Sequence, residues 1–189
     1  MMNCWHKRAV SSNCMQRVLS EMVIWITGLS GSGKSTIGRE VWRRWRALAP
    51  NTVHVDGDEI RGTLGLDGDS NYYTLEGRRE VAHRITNVCR WLDVQRINVV
   101  CCTISLFDEI HIRNRQELSE YFEVFIDVPI EVLKQRDKKN LYDGSQINVV
   151  GLDLPFAKPA SPHMTIDNAA DRSELGNFAD RICTLAAIA

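Results

Sequence analysis

The chain has 189 residues, which suits one globular domain with a sizeable core and leaves no room for a second catalytic domain. Charged residues make up 25% of it and the net charge is -1, which argues against the broad basic surface that binds nucleic acid polymers. No apolar run is long enough to cross a bilayer and the six cysteines form no C-x-x-C pair, so we expect a cytoplasmic protein with reduced thiols and no membrane partner.

The first 21 residues are polar and lack clear periodicity, and they end where an apolar strand pattern begins. We expect residues 1–21 to form a disordered tail, with Met22 as the functional first residue. Residues 22–189 would then form a single folded domain.

A glycine-rich loop follows the first predicted strand. Residues 28–36 read Gly-Leu-Ser-Gly-Ser-Gly-Lys-Ser-Thr and fit the phosphate-binding P-loop pattern G-x-x-x-x-G-K-[ST], between a β-branched strand pattern and a helical pattern. In such a loop the backbone N–H groups surround phosphate oxygens, the lysine reaches the β and γ phosphates, and the serine hydroxyl can bind Mg²⁺. The predicted ATP-binding residues are Gly28, Ser30, Gly31, Ser32, Gly33, Lys34, Ser35 and Thr36.

Strand patterns alternate with helix patterns along the rest of the chain. The predicted strands cover 23–27, 52–55, 97–103, 122–128 and 164–166, and the predicted helices cover 35–48, 78–94, 108–118, 130–138 and 173–187. This alternation predicts an α/β fold of the P-loop NTPase type, with three layers, a mostly parallel sheet and helices on both faces.

Two further features suggest a cover over the substrate. The longest irregular stretch, residues 140–162, predicts a binding loop or lid. Arg136, at the end of a predicted helix, could bind ATP as part of a mobile lid, or belong to a solvated charge run.

Two carboxylates, Asp56 and Asp58, follow the strand at 52–55, at the end where doubly wound sheets bind ligands. One can orient Mg²⁺ or its waters, and the other can accept a proton from an attacking hydroxyl. The strand at 97–103 is not followed by an acid of the Walker B kind and no Asn-Lys-x-Asp sequence occurs, which favours a small-molecule kinase over a GTPase. Arg61 could hold an anionic group of the acceptor.

From residue 23 to about residue 168 the chain resembles adenylylsulfate kinase, a family that phosphorylates the 3′-hydroxyl of adenosine 5′-phosphosulfate. The motifs that carry the resemblance are the P-loop, Asp56-Gly57-Asp58 with Arg61, Ile104-Ser105, residues 122–129, Arg136-Asp137 with Leu141-Tyr142, and Gly151-Leu152-Asp153 before Pro155-Phe156. The resemblance implies a P-loop kinase domain over residues 22–189, which uses Mg²⁺ with ATP and belongs to sulfate assimilation.

The resemblance also implies roles for the catalytic residues. Asp58 would contact the acceptor hydroxyl and serve as the base. Asp56 and Ser35 would hold Mg²⁺, partly through water, and Lys34 would contact the transferred phosphoryl group.

On the acceptor side, the resemblance implies that Arg61 and Arg78 bind the anionic part, with Asp58 beside them. Tyr73 stands where the family has an aromatic residue that stacks on the acceptor base. Ser105 stands at a position where some members carry a phosphorylated serine, and an ordinary serine at a strand end is the alternative.

Departures from the family pattern cluster on this acceptor side. Val149-Val150 replaces Phe-Thr, so that one wall of the base site would be aliphatic, and residues 143–146 are shorter than the usual basic stretch. The related cytidine diphosphoramidate kinase of capsule modification therefore stays open, as does a nucleotide-binding module without catalysis. The expected partners are ATP and a nucleotide-linked anion, and a homodimer also stays open.

Overall fold

The computed structural model describes residues 21–136, 141–142, 147–169 and 174–188. The strands are β1 (Val23–Thr27), β2 (Thr52–Asp56), β3 (Asn98–Thr103), β4 (Tyr121–Asp127) and β5 (Met164–Asp167). The helices are α1 (Lys34–Leu48), α2 (Gly57–Thr63), α3 (Leu75–Asp93), α4 (Asp108–Glu117), α5 (Ile130–Arg136) and α6 (Leu175–Leu185), with a 3₁₀ helix at Ser70–Tyr73.

The five strands form one parallel sheet in the order β2-β3-β1-β4-β5. Strand β1 lies at its centre, with Thr27 opposite Thr103 on one side and Phe125 on the other. Strand β1 is flanked by β3 on one side and by β4 on the other. In sheets of this type, the ligand-binding crevice lies at the carboxyl end of such a strand. The P-loop, which follows β1, therefore lies where this type of sheet binds ligands.

The core is divided between the two faces of the sheet because side chains alternate along each strand. Ile24 and Ile26 of β1 pack with α1 and α6 on one face. Val23 and Trp25 pack with α3 and α4 on the other. All of β1 is buried, as expected for a strand covered on both faces. The predicted α/β fold with helices on both faces is confirmed.

The observed strands and helices agree with the predicted ones to within three residues at the ends that the structure describes. Helix α3 begins earlier than expected, at Leu75, because the Thr74 hydroxyl caps it by accepting a hydrogen bond of 3.1 Å from the Gly77 amide. Helix α2 and the 3₁₀ helix were not predicted, since each is too short to show apolar periodicity.

Some predictions fall on residues outside the described part of the chain. These include the tail, of which Glu21 alone is described, and the predicted ends of two helices at residues 137–138 and 173. The described helices include none that is both long and apolar enough to cross a membrane.

Candidate active site

A cavity of about 870 Å³ opens at the carboxyl end of the sheet. The P-loop and the start of α1 line its middle. Its wall contains Arg136, Asn168 and Leu175, which follow β4 and β5 along the chain, and also Asp58 and Tyr73, which follow β2 at the opposite edge of the sheet. The cavity thus joins the predicted phosphate site to the predicted acceptor site.

The P-loop takes a conformation that requires glycine at two of its positions. Gly28 has φ 152°, and a Cβ there would lie 2.6 Å from the Ile126 carbonyl oxygen. Gly33 has φ 101° and precedes the first residue of α1. The N-terminus of α1, whose first N–H groups lack partners within the helix, is directed at the cavity, which favours an anion there.

The two reactive P-loop side chains face the cavity. Lys34 crosses the loop, and its Nζ donates a hydrogen bond of 2.8 Å to the Leu29 carbonyl oxygen. Ser35 Oγ donates a hydrogen bond of 2.5 Å to Asp56 Oδ2. A loop after β1 and an acid at the end of β2 are therefore in direct contact, although β3 lies between the two strands.

Asp56 is the more buried of the two predicted acids, with 6% of its surface exposed. Its Oδ1 accepts a hydrogen bond of 3.0 Å from the Asp58 amide, which caps α2 and places Asp58 in the first helical turn. Asp58 is exposed and lines the cavity. Asp56 is thus fixed beside the P-loop serine, while the Asp58 carboxylate faces the space where an acceptor would lie.

These residues also fit a metal that arrives with a nucleotide. The described residues contain no cluster of three or more His, Cys, Asp or Glu side chains that could hold a metal ion by itself. Ser35 and Asp56 would supply two oxygen ligands, and Mg²⁺ is commonly held by one or two protein oxygens together with phosphate oxygens and waters.

Two arginines lie against Tyr73 at the acceptor end. The guanidinium carbons of Arg61 and Arg78 lie 5.0 and 5.5 Å from the centre of its ring. Arg61 also donates to the Tyr72 carbonyl oxygen at 3.1 Å, and Arg78 donates to the Tyr73 and Asn148 carbonyl oxygens at 3.0 Å. Partial burial lowers the pKa of both arginines, and in Arg78 the neighbouring charge of Arg61 adds to this. An anion between the two groups would relieve both effects.

Aliphatic side chains form the wall near these arginines. Ile147, Val149 and Val150 line the cavity, and the two valines are those that replace Phe-Thr of the family pattern. Val149 is 7% exposed, and its amide donates to Asp153 Oδ2 at 2.8 Å. This part of the predicted binding loop at 140–162 borders the cavity.

Most of the predicted site residues line the cavity together. They are Ser30, Gly31, Gly33, Lys34, Ser35, Thr36, Asp56, Asp58, Arg61, Tyr73, Arg78 and Arg136. Gly28 and Ser32 belong to the same loop but do not line the cavity, and Ser32 is fully buried.

Ser105 is the predicted site residue that the structure places elsewhere. It is 1% exposed and does not line the cavity. Its Oγ accepts a hydrogen bond of 2.8 Å from Trp25 Nε1, and its amide donates to Thr27 Oγ1 at 3.2 Å. These contacts are those of an ordinary serine after a strand. Ser105 supplies the buried acceptor that the N–H of the large Trp25 ring needs.

The cavity wall also contains polar residues that were not predicted as site residues, namely Asp67, Ser70, Thr103, Tyr142, Asn148 and Asn168. Asp67 and Ser70 lie in the connection between α2 and α3, and no pattern in the sequence marks them. Asn168 directly follows β5, and the rule that ligands bind beyond the carboxyl ends of strands could have identified it.

The chain matches a known protein family and several known proteins. Residues 20–167 match the family model described as adenylylsulphate kinase. The cytidine diphosphoramidate kinase of Campylobacter jejuni is 38% identical over 151 residues, which cover 78% of this chain and 86% of that protein. The adenylyl-sulfate kinase of Clostridium acetobutylicum is 33% identical over 177 residues, 90% of this chain and 87% of that protein.

A solved structure agrees with these matches. It is that of the Mycobacterium tuberculosis APS kinase in complex with AMPPNP and APS, which is 29% identical with a TM-score of 0.75. The match covers 88% of this chain and 97% of that one. The family resemblance predicted from the sequence is confirmed.

Proposed function

The chain belongs to the adenylylsulphate kinase family, and we propose that it transfers the γ-phosphoryl group of ATP to the ribose 3′-hydroxyl of adenosine 5′-phosphosulfate. One observation carries the proposal: a single cavity holds the P-loop Lys34, the hydrogen-bonded pair of Ser35 and Asp56, and the exposed carboxylate of Asp58. Phosphoryl transfer requires mainly this combination of positioning and charge neutralisation.

Each of these residues has a defined task in the reaction. The P-loop amides and Lys34 bind the phosphate chain, and Lys34 offsets the negative charge of the γ-phosphoryl group. Ser35 and Asp56 would hold Mg²⁺, which supplies positive charge to the β and γ phosphates when it is bound. Asp58 accepts the proton of the 3′-hydroxyl as that oxygen bonds to the γ-phosphorus, and the bond to the β-phosphate oxygen breaks to release ADP.

The acceptor would occupy the end of the cavity near Tyr73. Arg61 and Arg78 would bind its anionic part, since both are partly desolvated and lie close to each other. This leaves the base beside Tyr73 and the aliphatic wall of Val149.

A cytidylyl acceptor is the second candidate. The aliphatic wall favours it, because a wall without the aromatic ring of the family pattern provides less stacking for a purine. The Campylobacter jejuni relative also favours it. The family match, the Clostridium acetobutylicum relative and the M. tuberculosis structure support the adenylyl acceptor instead.

The proposal is tested by offering purified protein Mg·ATP with adenosine 5′-phosphosulfate or cytidine diphosphoramidate, and measuring ADP release and the phosphorylated product. We expect turnover with the adenylyl acceptor. Turnover restricted to the cytidylyl acceptor would establish the second candidate. ATP binding without turnover on either acceptor would indicate a nucleotide-binding module instead.

Replacing Tyr73 with alanine should weaken acceptor binding selectively. Stacking of a base on an aromatic ring contributes about 1–3 kcal/mol, so we expect the acceptor KM to rise by roughly 5- to 150-fold. The ATP KM should stay within about twofold, because the ring of Tyr73 lies against Arg61 and Arg78, which are proposed to bind the acceptor. Tyr73→Phe keeps the ring and should behave like the parent. Equal increases in both KM values would contradict the assigned stacking role.

A cytoplasmic location is also proposed. The four cysteines in the described part of the chain, Cys89, Cys101, Cys102 and Cys183, are all buried and unpaired, as is usual in a reducing compartment. The homodimer stays a prediction.

A further inference from the structure

Asn168 connects three parts of the ATP side of the cavity. It directly follows β5, it is 3% exposed, and it lines the cavity with Arg136 and Leu175. We propose that Asn168 is a positioning residue, which fixes the P-loop and Arg136 relative to each other for ATP binding. The inference rests on the proposed function only in taking ATP as the ligand of this end of the cavity.

The first connection runs from the Asn168 side chain to the P-loop. Its Nδ2 donates a buried hydrogen bond of 2.8 Å to the Ser32 carbonyl oxygen. Because a carbonyl oxygen only accepts, the amide nitrogen must be the group that faces the loop. A Cβ on Gly33 would lie 2.8 Å from the same nitrogen, so the loop and this side chain fit closely at that point.

The second connection runs from the Asn168 main chain to Arg136. Its carbonyl oxygen accepts a hydrogen bond of 2.7 Å from one guanidinium nitrogen, and the Ala169 carbonyl oxygen accepts one of 3.2 Å from another. The Asn168 amide in turn donates to the Asp127 carbonyl oxygen at 3.2 Å, which holds the residue to the end of β4. Asn168 therefore contacts both the arginine and the loop, and links them to the end of β4.

The oxygen of the Asn168 side chain shows why the contact of its nitrogen with the P-loop matters most. Asn168 Oδ1 is buried and finds no hydrogen-bond partner among the described residues. A buried oxygen without a partner is unfavourable, so this side chain adds little to stability except through its contact with Ser32. Removal of the Asn168 side chain should therefore weaken mainly the binding of phosphate, which is the role of the P-loop.

The test compares Asn168→Ala and Asn168→Asp with the parent protein. Affinity for the analogue AMPPNP with Mg²⁺ is measured by calorimetry without acceptor, and both KM values are measured where turnover occurs. Loss of one buried hydrogen bond should weaken nucleotide binding about tenfold in Asn168→Ala. Asn168→Asp, which keeps the shape, should weaken it about 100-fold, because a carboxylate oxygen would face the Ser32 carbonyl and repel phosphate. The acceptor KM should stay within about twofold.

The matched control is Asn114→Ala. Asn114 is fully buried on α4 and does not line the cavity, so its replacement should change the melting temperature without changing nucleotide affinity. Parent-like affinity in Asn168→Asp would overturn the inference, as would equal loss of nucleotide and acceptor binding. Failure of the proposed function has a different signature, since the parent would then bind nucleotide without turning over adenosine 5′-phosphosulfate.

Discussion

Lys34→Ala is expected to abolish phosphoryl transfer, with kcat reduced by about 1,000-fold or more. Lys34 is the P-loop lysine, and its Nζ already lies within the loop, 2.8 Å from the Leu29 carbonyl oxygen. Removing one preorganised group that stabilises transition-state charge costs about 100- to 1,000-fold, and a full positive charge at the γ-phosphoryl group should be at the upper end of that range or beyond it. The measurement is the rate of ADP release with saturating acceptor.

The matched control for this variant is Lys158→Ala. Lys158 is exposed and pairs with Asp127 at 2.6 Å, outside the cavity that holds the P-loop. Its loss should leave kcat close to the parent value, because an exposed ion pair contributes little and no substrate is proposed to touch it. Normal turnover in Lys34→Ala would refute the assignment of the phosphate site.

Asp58→Asn should reduce acceptor-dependent transfer by about 100- to 10,000-fold, the usual contribution of a general base. The amide keeps the size of the side chain but cannot accept the proton of the 3′-hydroxyl. The ATP KM should change little, since Ser35 and Asp56 keep their hydrogen bond. A pre-steady-state measurement of transfer, together with nucleotide affinity, separates loss of chemistry from loss of binding.

The neighbouring acid provides the control for Asp58. Glu59 follows it in α2, but its carboxylate pairs with Arg39 at 2.6 Å and does not line the cavity. Glu59→Gln should therefore retain parent-like kcat. If the Asp58 and Glu59 variants lost activity to the same extent, the effect would belong to the stability of α2, and the base would have to be sought elsewhere.

Local patterns were enough to predict the fold and the residues of the P-loop, but not Asn168 beside it. The glycine and lysine spacing of the P-loop, together with the apolar strand before it, gave its conformation because these signals lie within about ten residues of one another. Asp56 was found because it ends a strand, and the parallel sheet brings that end to the P-loop. By contrast, α2 and the 3₁₀ helix depend on single caps such as Asp56 and Asp69, which leave no periodic signal.

Both sides of the cavity also depend on contacts that no local pattern records. The Asn168 amide reaches Ser32 across 136 positions of sequence, and Arg78 reaches the Asn148 carbonyl across 70. Ser105 was a candidate because it stands where some family members carry a phosphorylated serine, yet its hydroxyl accepts a hydrogen bond from Trp25, 80 positions away.

The sequence by itself thus determined the order of strands and helices, the phosphate-binding loop and the two acids, since each follows from residue types at short spacing. Only the tertiary structure decided which side chains share the cavity, which are hidden behind it, and that two arginines meet at Tyr73. The physical reason is that local spacing fixes backbone conformation, whereas the direction and burial of a side chain are set by packing between segments far apart in the chain.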